Sequence, residues 1–263
     1  MPSDTIKVLQ INTQKSQAAT SLVVKSANDL NADIILIQEP YTVSNQIVRF
    51  GSWQVLNKGA ANERSKCGII VCNKSISLAL IPELSLNQIT TAALHEGPVD
   101  NIICIYFSPF DKDEECINEL TSVVRKLGNN TFIVARDRNA KSHLWYHERE
   151  DNRGRLLQDL LNEIDNISLN MSDTPTFQTA RAKGWTDVCL APTEVGRKVI
   201  SCQTLLKDSA SNHRYILTIL EKDQSTTESH DNYYSKRTNW ELFQEMFARN
   251  WRNYRFTEIS SIT

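Results

Sequence analysis

The sequence predicts a layered α/β domain, because short apolar runs of strand length alternate with amphipathic stretches of helical spacing. The chain has 263 residues, of which 40% are hydrophobic, and this is enough for a sizeable core in one large domain. The eight glycines form neither a G-x-G-x-x-G motif nor a Walker loop, which disfavours nucleotide-cofactor folds.

The pattern predicts each element in turn. Three stretches place apolar residues on one helical face: Gln17–Leu30, Glu114–Leu127 and Arg155–Ile164. Seven shorter runs have the length and apolar character of strands: Ile6–Asn12, Asp33–Gln38, Gly68–Cys72, Ile102–Phe107, Thr131–Ala135, Asp187–Leu190 and Tyr215–Leu220. The alternation of the two kinds of element favours a sheet covered by helices.

A polar stretch divides the chain into a main domain over residues 1–221, a linker over 222–238 and a tail over 239–263. Within the tail, Asn239–Asn250 reads as an amphipathic helix with Trp240 and Phe243 among its apolar residues. Because an isolated helix of this kind is marginal, we expect it to dock on the main domain or on a segment beyond this chain.

No apolar run approaches the roughly 20 residues of a membrane helix. The N-terminus lacks the charged head and apolar stretch of a secretory signal. The six cysteines form no C-x-x-C pair, and four lie in apolar, strand-like runs, which predicts reduced core thiols. We therefore expect an intracellular protein with no membrane partner.

Polar residues with catalytic chemistry lie where the predicted strands begin or end. In layered α/β folds ligands gather at strand ends, because side chains there leave the sheet and can converge. Each residue alone also fits a turn or a solvated strand end, but seven together indicate a site. They are Asn12, Glu39, Tyr106, Asp137, Asn139, Asp187 and His213.

Five ordered motifs contain these residues: Leu9–Asn12, Ile37–Tyr41, Asp137–Ser142, Thr186–Val188 and Ser211–His213. In order and spacing they resemble the endonuclease–exonuclease–phosphatase superfamily, which includes the apurinic/apyrimidinic endonucleases. Gln38-Glu39-Pro40-Tyr41, Asn139-Ala140-Lys141-Ser142 and Pro175-Thr176-Phe177 narrow the resemblance to the endonuclease domain of non-LTR retrotransposons, in arthropod lineages that insert into ribosomal or telomeric repeats.

The resemblance implies a DNase I-like fold, which is an α/β (α+β) two-layered β-sandwich flanked by helices. It also implies an enzyme that nicks double-stranded DNA and exposes a 3′-hydroxyl for target-primed reverse transcription. The segment 238–243 resembles the part that joins this endonuclease to a reverse transcriptase, so a reverse transcriptase domain of the same polyprotein is an expected partner. An enzyme that acts on chromosomal DNA is expected in the nucleus.

The resemblance also implies roles for the site residues. Glu39 would hold a divalent metal, with Mg²⁺ (or Mn²⁺) suited to a site of few carboxylates, water and substrate phosphate. Asp137 would position or deprotonate the attacking water, and Asn12 and Asn139 would orient it and the phosphate.

The remaining roles concern the phosphate. Tyr106 would donate to a phosphate oxygen, and His213, held by Asp187, would stabilise charge that develops on phosphorus. The family pattern Ser-Asp-His reads Ser211-Asn212-His213 here. Asn212 therefore takes the place of an aspartate that helps to hold the metal and handle the leaving group, and metal binding is expected to weaken. Decay of one element copy, a deliberate change and tolerated variation are equally open explanations.

A second departure is Arg136-Asp137 in place of the usual Gly-Asp, so Arg136 is expected to crowd or recharge the site. The net charge of −2 argues weakly against nucleic acid, but basic residues are concentrated in Gln178–Gly184 and Val195–Ser209. The predicted DNA-binding residues are Arg136, Arg138, Lys141, Arg181, Lys183, Arg197, Lys198 and Arg214.

Three hypotheses follow. The first is a DNA-nicking endonuclease with a sequence preference. The second, motivated by Arg136 and Asn212, is a catalytically inactive DNA-binding relic of that nuclease, which would bind DNA in a salt-dependent way without cleaving it. The third is a phosphatase of the same superfamily that acts on inositol or lipid phosphates.

Overall fold

The computed structural model describes residues 4–59, 62–137 and 140–222. The strands are β1 (Thr5–Asn12), β2 (Ile34–Gln38), β3 (Thr42–Val43), β4 (Gln46–Ile47), β5 (Gln54–Leu56), β6 (Cys67–Val71), β7 (Ser77–Leu80), β8 (Ile89–His95), β9 (Asn101–Tyr106), β10 (Phe132–Asp137), β11 (Asn166–Ser168), β12 (Phe177–Gln178), β13 (Lys183–Gly184), β14 (Asp187–Pro192), β15 (Val199–Thr204) and β16 (Ile216–Glu221). The α-helices are α1 (Gln17–Leu30), α2 (Asp113–Leu127), α3 (Asn152–Glu163) and α4 (Thr193–Gly196).

Most of these strands form two six-stranded sheets. The first sheet has the order β15-β16-β1-β2-β6-β5 and the second the order β11-β14-β10-β9-β8-β7. Each sheet contains one parallel pair, β1 with β2 and β9 with β10, and its other pairs are antiparallel. The ends of the two parallel pairs therefore offer matching positions for polar side chains.

Apolar residues form three buried layers that hold helices and sheets together. The inner layer joins the two sheets, with Ile34 from the first and Ile102 from the second among its residues. A second layer packs α2 and α3 on the outer face of the second sheet, and a third packs α1 on the outer face of the first. Burial of these faces drives the stacking of the sheets. The result is the predicted two-layered sandwich flanked by helices.

Polar side chains cap the N-termini of α1 and α3. Ser16 accepts a hydrogen bond from the Ala19 amide at 3.2 Å, and α1 spans the predicted residues Gln17–Leu30. Helix α3 begins three residues before its predicted start at Arg155, because the Asp151 carboxylate accepts from the Gly154 amide at 2.7 Å and caps an earlier turn. No helix among the described residues is long and apolar enough to cross a membrane.

The ends of the seven predicted strands are confirmed to within two residues. Several further strands have no clear strand pattern in the sequence. Strand β8, Ile-Thr-Thr-Ala-Ala-Leu-His, is rich in small and polar residues, yet most of it is buried between β7 and β9. Strand β15 lies inside the stretch Val195–Ser209, for which the sequence indicates only basic charge. The predicted linker beyond Lys222 and the predicted helix Asn239–Asn250 lie outside the described residues.

The start of α3 contacts the loop that follows β10. A side chain at Gly154 would meet the Lys141 carbonyl oxygen, since a Cβ built there lies 1.9 Å from that atom. The Asp151 carboxylate also accepts from the Lys141 amide at 3.0 Å. Glycine at this position therefore allows α3 to support the backbone that leads away from Asp137.

We predict that Gly154→Ala lowers the free energy of unfolding by about 1–3 kcal/mol, because the new methyl group displaces backbone. Gly184→Ala is the matched control, since its Cβ would lie 3.6 Å from the Thr186 methyl group, an ordinary contact. Urea unfolding of both variants measures the difference. Equal losses in the two variants would contradict the close approach at Gly154.

Candidate active site at one edge of the sandwich

The polar strand ends meet at one edge of the sandwich. In the first sheet, Asn12 ends β1 beside the end of β2, and Glu39 follows directly. In the second sheet, Asp137 lies in register with Tyr106 on one side and with Asp187 on the other. Hydrogen bonds and ion pairs join the two sets across the sheets, so the structure brings Asn12, Glu39, Asp137, Asp187 and His213 together.

The side chain of Asn12 links the two sheets. Its amide nitrogen donates to Glu39 Oε2 at 3.2 Å and also to Asp137 Oδ2. Its amide oxygen accepts from the Gln14 backbone at 2.7 Å, which fixes the orientation of the amide. Since Asn12 is 1% exposed, this neutral group couples two carboxylates without adding charge to a buried place.

The Glu39 backbone adopts a left-handed conformation with φ of 42°, which is unusual for a residue with a side chain. Its carbonyl oxygen accepts from the Lys15 amide at 2.7 Å and from the Thr13 hydroxyl at 2.8 Å. These bonds tie the loop after β1 to the end of β2. Strained backbone of this kind is characteristic of functional sites, where surrounding contacts hold it in place.

His213 lies between two buried aspartates. Its Nδ1 is 2.9 Å from Asp187 Oδ2, and its Nε2 is 3.8 Å from Asp137 Oδ2. Burial would lower the pKa of His213, but the charges of Asp187 and Asp137 outweigh it and raise the pKa to about 9. The imidazole is therefore a cation at neutral pH, and the pair of aspartates holds it in one orientation.

Asp137 has a different electrostatic environment. Burial, together with the charge of Asp187, raises its pKa to about 7, although His213 and Asn12 oppose the rise. Its Oδ1 is buried and has no hydrogen-bond partner among the described residues. A buried oxygen without a partner marks a place for a water molecule, a metal ion or a substrate atom. Asp137 can thus act as a base at neutral pH.

Tyr106 closes the second sheet's side of a cleft of about 500 Å³ that also contains Glu39 and Lys15. Burial and the nearby charge of Glu39 raise the pKa of the Tyr106 hydroxyl. The hydroxyl therefore stays protonated and is a hydrogen-bond donor throughout the neutral range.

Two places at this edge offer metal ligands. Asp137, Asp187 and His213 have ligand atoms within 4.8 Å of one another. However, the His213 imidazolium places one positive charge between the two carboxylates, and a metal there would have to displace its proton. The Glu39 carboxylate is 14% exposed in the cleft and offers an oxygen ligand to an ion that keeps its waters. The cleft fits a divalent metal better than the buried cluster does.

Asn212 lies exposed at the rim of the site. Its backbone amide donates to Gln14 Oε1 at 3.0 Å, and its carbonyl accepts from the Gln178 amide at 2.8 Å. Its side chain makes no hydrogen bond to the described residues, so its role as a metal ligand stays a prediction. Arg138 and Asn139 lie outside the described residues.

Several predicted DNA-binding residues are exposed near this edge. Lys141 follows β10, and Arg181 and Lys183 lie on the hairpin of β12 and β13, whose first strand bridges to His213. Arg214 instead supports this hairpin, because its guanidinium donates to the Pro175 carbonyl at 3.0 Å and to Gln178 Oε1. These positions are compatible with a phosphate backbone that passes over the site.

Arg136 is predicted to bind DNA, but its side chain does not reach the surface. It is 0% exposed, and none of its three guanidinium nitrogens has a hydrogen-bond partner in the described part of the chain. The reason is strand alternation, because Asp137 faces the interior between the sheets and Arg136 therefore faces the helices. It lies on the face of β10 that also carries Val134. The prediction that Arg136 contacts DNA is therefore wrong.

Arg197 and Lys198 also lie elsewhere than expected. Strand β14 starts at the site with Asp187 and ends at Pro192, and five residue steps of about 3.4 Å carry it about 17 Å away. Lys198 donates to the Pro98 carbonyl at 3.1 Å, near the start of β9 and so at the far end of the second sheet. These two residues are not beside the catalytic side chains.

Sequence reasoning missed three supporting residues. The Thr176 hydroxyl accepts from the backbone amide of Asp187 at 3.0 Å, and the Phe177 ring lies 5.0 Å from the His213 ring, edge to face. Ser211 Oγ donates to the Asn12 carbonyl at 2.8 Å. Pro175-Thr176-Phe177 and Ser211-Asn212-His213 were the signals that could have identified them, since both motifs stood out in the sequence.

A family model described as Endonuclease-reverse transcriptase matches residues 101–217. This range contains Tyr106, Asp137, Asp187 and His213 but begins after Asn12 and Glu39. No curated protein matches the chain.

Solved structures share the fold over about four fifths of the chain. The endonuclease domain of TRAS1, a telomere-specific non-LTR retrotransposon, has 26% identity and a TM-score of 0.74, with 83% of this chain and 100% of that chain covered. An AP endonuclease from Archaeoglobus fulgidus has 15% identity and a TM-score of 0.63, with coverage of 82% and 99%. The AP endonuclease LMAP from Leishmania major has 12% identity and a TM-score of 0.65, with coverage of 84% and 89%. The fold is therefore the DNase I-like endonuclease/exonuclease/phosphatase fold, and its neighbours are consistent with a hydrolytic nuclease.

We predict that Asp187→Asn lowers the pKa of His213 from about 9 toward or below its ordinary value, because burial is then opposed only by the charges of Asp137 and Glu39. A histidine whose pKa is raised by folding contributes stability that is present below pH about 6.5 and lost as the pH rises through about 9. This loss should move to lower pH in Asp187→Asn.

Nitrogen-15 NMR of the imidazole in EDTA, with urea unfolding at each pH, measures both effects. Asp159→Asn, an exposed change on α3, is the control. A wild-type His213 that is neutral at pH 7 would contradict the charge arrangement.

Proposed function

We propose that this chain is a divalent-metal-dependent endonuclease that nicks one strand of duplex DNA and leaves a 3′-hydroxyl for target-primed reverse transcription. The observation that carries the proposal is the pair of hydrogen bonds from Asn12 to Glu39 and Asp137. They hold a metal-ligand carboxylate and a base carboxylate side by side at the edge of the sandwich. The similarity to the TRAS1 endonuclease domain supports the same assignment.

Hydrolysis of a phosphodiester needs an attacking water, a polarised phosphate and relief for the leaving oxygen. With a pKa raised to about 7, Asp137 can accept a proton from water at neutral pH. The His213 imidazolium can donate a hydrogen bond to a phosphate oxygen as negative charge develops there, and Asp187 keeps the ring in place. Tyr106 can donate to a second oxygen. Asn139 is proposed to assist Asp137 as an amide donor.

A divalent ion on Glu39, Mg²⁺ (or Mn²⁺), would supply a Lewis acid for the phosphate and the leaving oxygen. The exposed position of Asn212 at the rim suits a weak further ligand or a contact to the leaving group. An amide carries no charge, so we expect the ion to be held less tightly than by an aspartate at the same place.

The exposed cations Lys141, Arg181 and Lys183 are proposed to contact DNA phosphates. Such contacts position the duplex over the site without reading base identity and weaken as salt rises. We further propose a reverse transcriptase domain of the same polyprotein as partner and the nucleus as the place of action. We also propose that the chain comes from one of the arthropod elements that insert into ribosomal or telomeric repeats.

The second candidate is an inactive DNA-binding relic, and Arg136 is the observation that favours it. A buried cation costs several kcal/mol in a packed layer when it has no partner, and Arg136, which directly precedes Asp137, has none among the described residues. If that cost displaces the catalytic loop, DNA binding would remain while cleavage would be lost. The difference between the two candidates is measurable.

We predict that this chain converts supercoiled plasmid to open circles in Mg²⁺ and not in EDTA. Glu39→Gln should reduce the rate at least about a hundredfold, because it removes the charged metal ligand and keeps its shape. Glu63→Gln is the matched control, since Glu63 is an exposed carboxylate of the same cleft. Asn212→Asp should raise activity at low Mg²⁺, because it restores a charged oxygen at the rim.

The outcomes separate the candidates. Nicking that survives Glu39→Gln would contradict the metal site, and hydrolysis of a small phosphoester that excess duplex DNA does not inhibit would indicate a phosphatase. Salt-sensitive DNA binding without cleavage, even in Asn212→Asp, would indicate the relic. In that case Arg136→Gly is the variant expected to restore cleavage.

A further inference from the structure

The cleft beside the site holds an ion pair that the catalytic roles above leave unused. Lys15 Nζ lies 3.0 Å from Glu39 Oε1, with the lysine side chain 53% exposed and the glutamate side chain 14% exposed. In the described part of the chain, Glu39 is the one ion-pair partner of this ammonium. The lysine thus lies where a second cation would approach the same carboxylate.

The backbone holds Lys15 in this position. Gln14 and Lys15 both have positive φ, 48° and 60°, which costs each residue about 1–2 kcal/mol relative to an ordinary turn. The Lys15 amide donates to the Glu39 carbonyl at 2.7 Å, so the two backbones are joined at this point. The start of the lysine side chain is therefore fixed beside Glu39, while its four methylene groups leave the ammonium free to turn.

Both oxygens of Glu39 have partners. Oε2 accepts from the Asn12 amide at 3.2 Å, and Oε1 faces Lys15. A divalent ion bound to the Glu39 carboxylate would place two positive charges close to the lysine, and like charges at short distance repel. The ion and the ammonium therefore compete for the carboxylate.

We propose that Lys15 pairs with Glu39 when no metal is bound and becomes a phosphate-binding side chain when Glu39 holds a divalent ion. With a divalent ion bound to Glu39, the Lys15 ammonium would turn away into the cleft and pair with a phosphate of the DNA backbone. This inference rests on the proposed function, since it takes duplex DNA as the ligand. By linkage, the metal then strengthens DNA binding through Lys15, and DNA strengthens metal binding to the same degree.

The cleft contains a natural comparison for Lys15. Lys66 lines the same cleft, but its ammonium lies 3.7 Å from Asp111 rather than next to Glu39. Removal of Lys66 changes the positive charge of the cleft by the same amount and leaves the Glu39 carboxylate untouched. Any effect specific to Lys15 must therefore come from its pair with Glu39.

The first test measures Mn²⁺ affinity without DNA, from the electron paramagnetic resonance signal of free Mn²⁺. Lys15→Met should bind Mn²⁺ about threefold more tightly, because a half-exposed competing pair has been removed. Lys15→Arg keeps the competing charge and should match the wild type, as should Lys66→Met. Glu39→Gln should lose this binding.

The second test measures binding of a short duplex DNA with Ca²⁺ or EDTA over a range of salt. Wild type should gain affinity when Ca²⁺ is present, and Lys15→Met should lose most of this gain. The salt dependence with Ca²⁺ should also fall by about one phosphate contact in Lys15→Met.

An unchanged Mn²⁺ affinity in Lys15→Met, or an unchanged gain from Ca²⁺, overturns the inference. If the wild type still nicks plasmid in a Glu39-dependent way, the proposed function survives that failure. If neither wild type nor Lys15→Met binds Mn²⁺, both the inference and the metal-dependent function fail.

Discussion

The amide of Asn12 is the contact on which the candidate site depends. Asn12 ends β1 in the first sheet, and its side-chain amide donates to Asp137 at the end of β10 in the second sheet. A further bond between the sheets lies just below it, where Gln10 Nε2 donates to the Arg136 carbonyl at 3.2 Å. Apolar stacking alone tolerates small slides of one sheet over the other, whereas these polar bonds fix one alignment.

That alignment places the carboxylates of the site in two different environments. Glu39 lies at the cleft, partly solvated, where it pairs with the exposed ammonium of Lys15. Asp137 and Asp187 are buried around His213, whose protonated ring places one positive charge between them. The proposed phosphodiester hydrolysis would use both environments, with a metal on Glu39 and the base and imidazolium in the buried cluster.

Much of this arrangement could be predicted from the sequence. Strand ends with polar residues are local features, so the convergence of Asn12, Glu39 and Asp137 followed from pattern and order. The burial of Arg136 was also within reach, since neighbours in a strand face opposite sides. The distance of Arg197 from the site was not, because it depends on the direction in which β14 runs. Nor was the Lys15–Glu39 pair, which depends on two left-handed residues in an ordinary-looking loop.

The central claim is that Glu39, and not the buried aspartates, takes the metal. Anomalous scattering from crystals soaked in Mn²⁺ tests it most directly. The account predicts one peak at coordination distance from the Glu39 carboxylate, with the Lys15 ammonium moved away from it. A peak enclosed by Asp137, Asp187 and His213, with Lys15 still paired to Glu39, would contradict it.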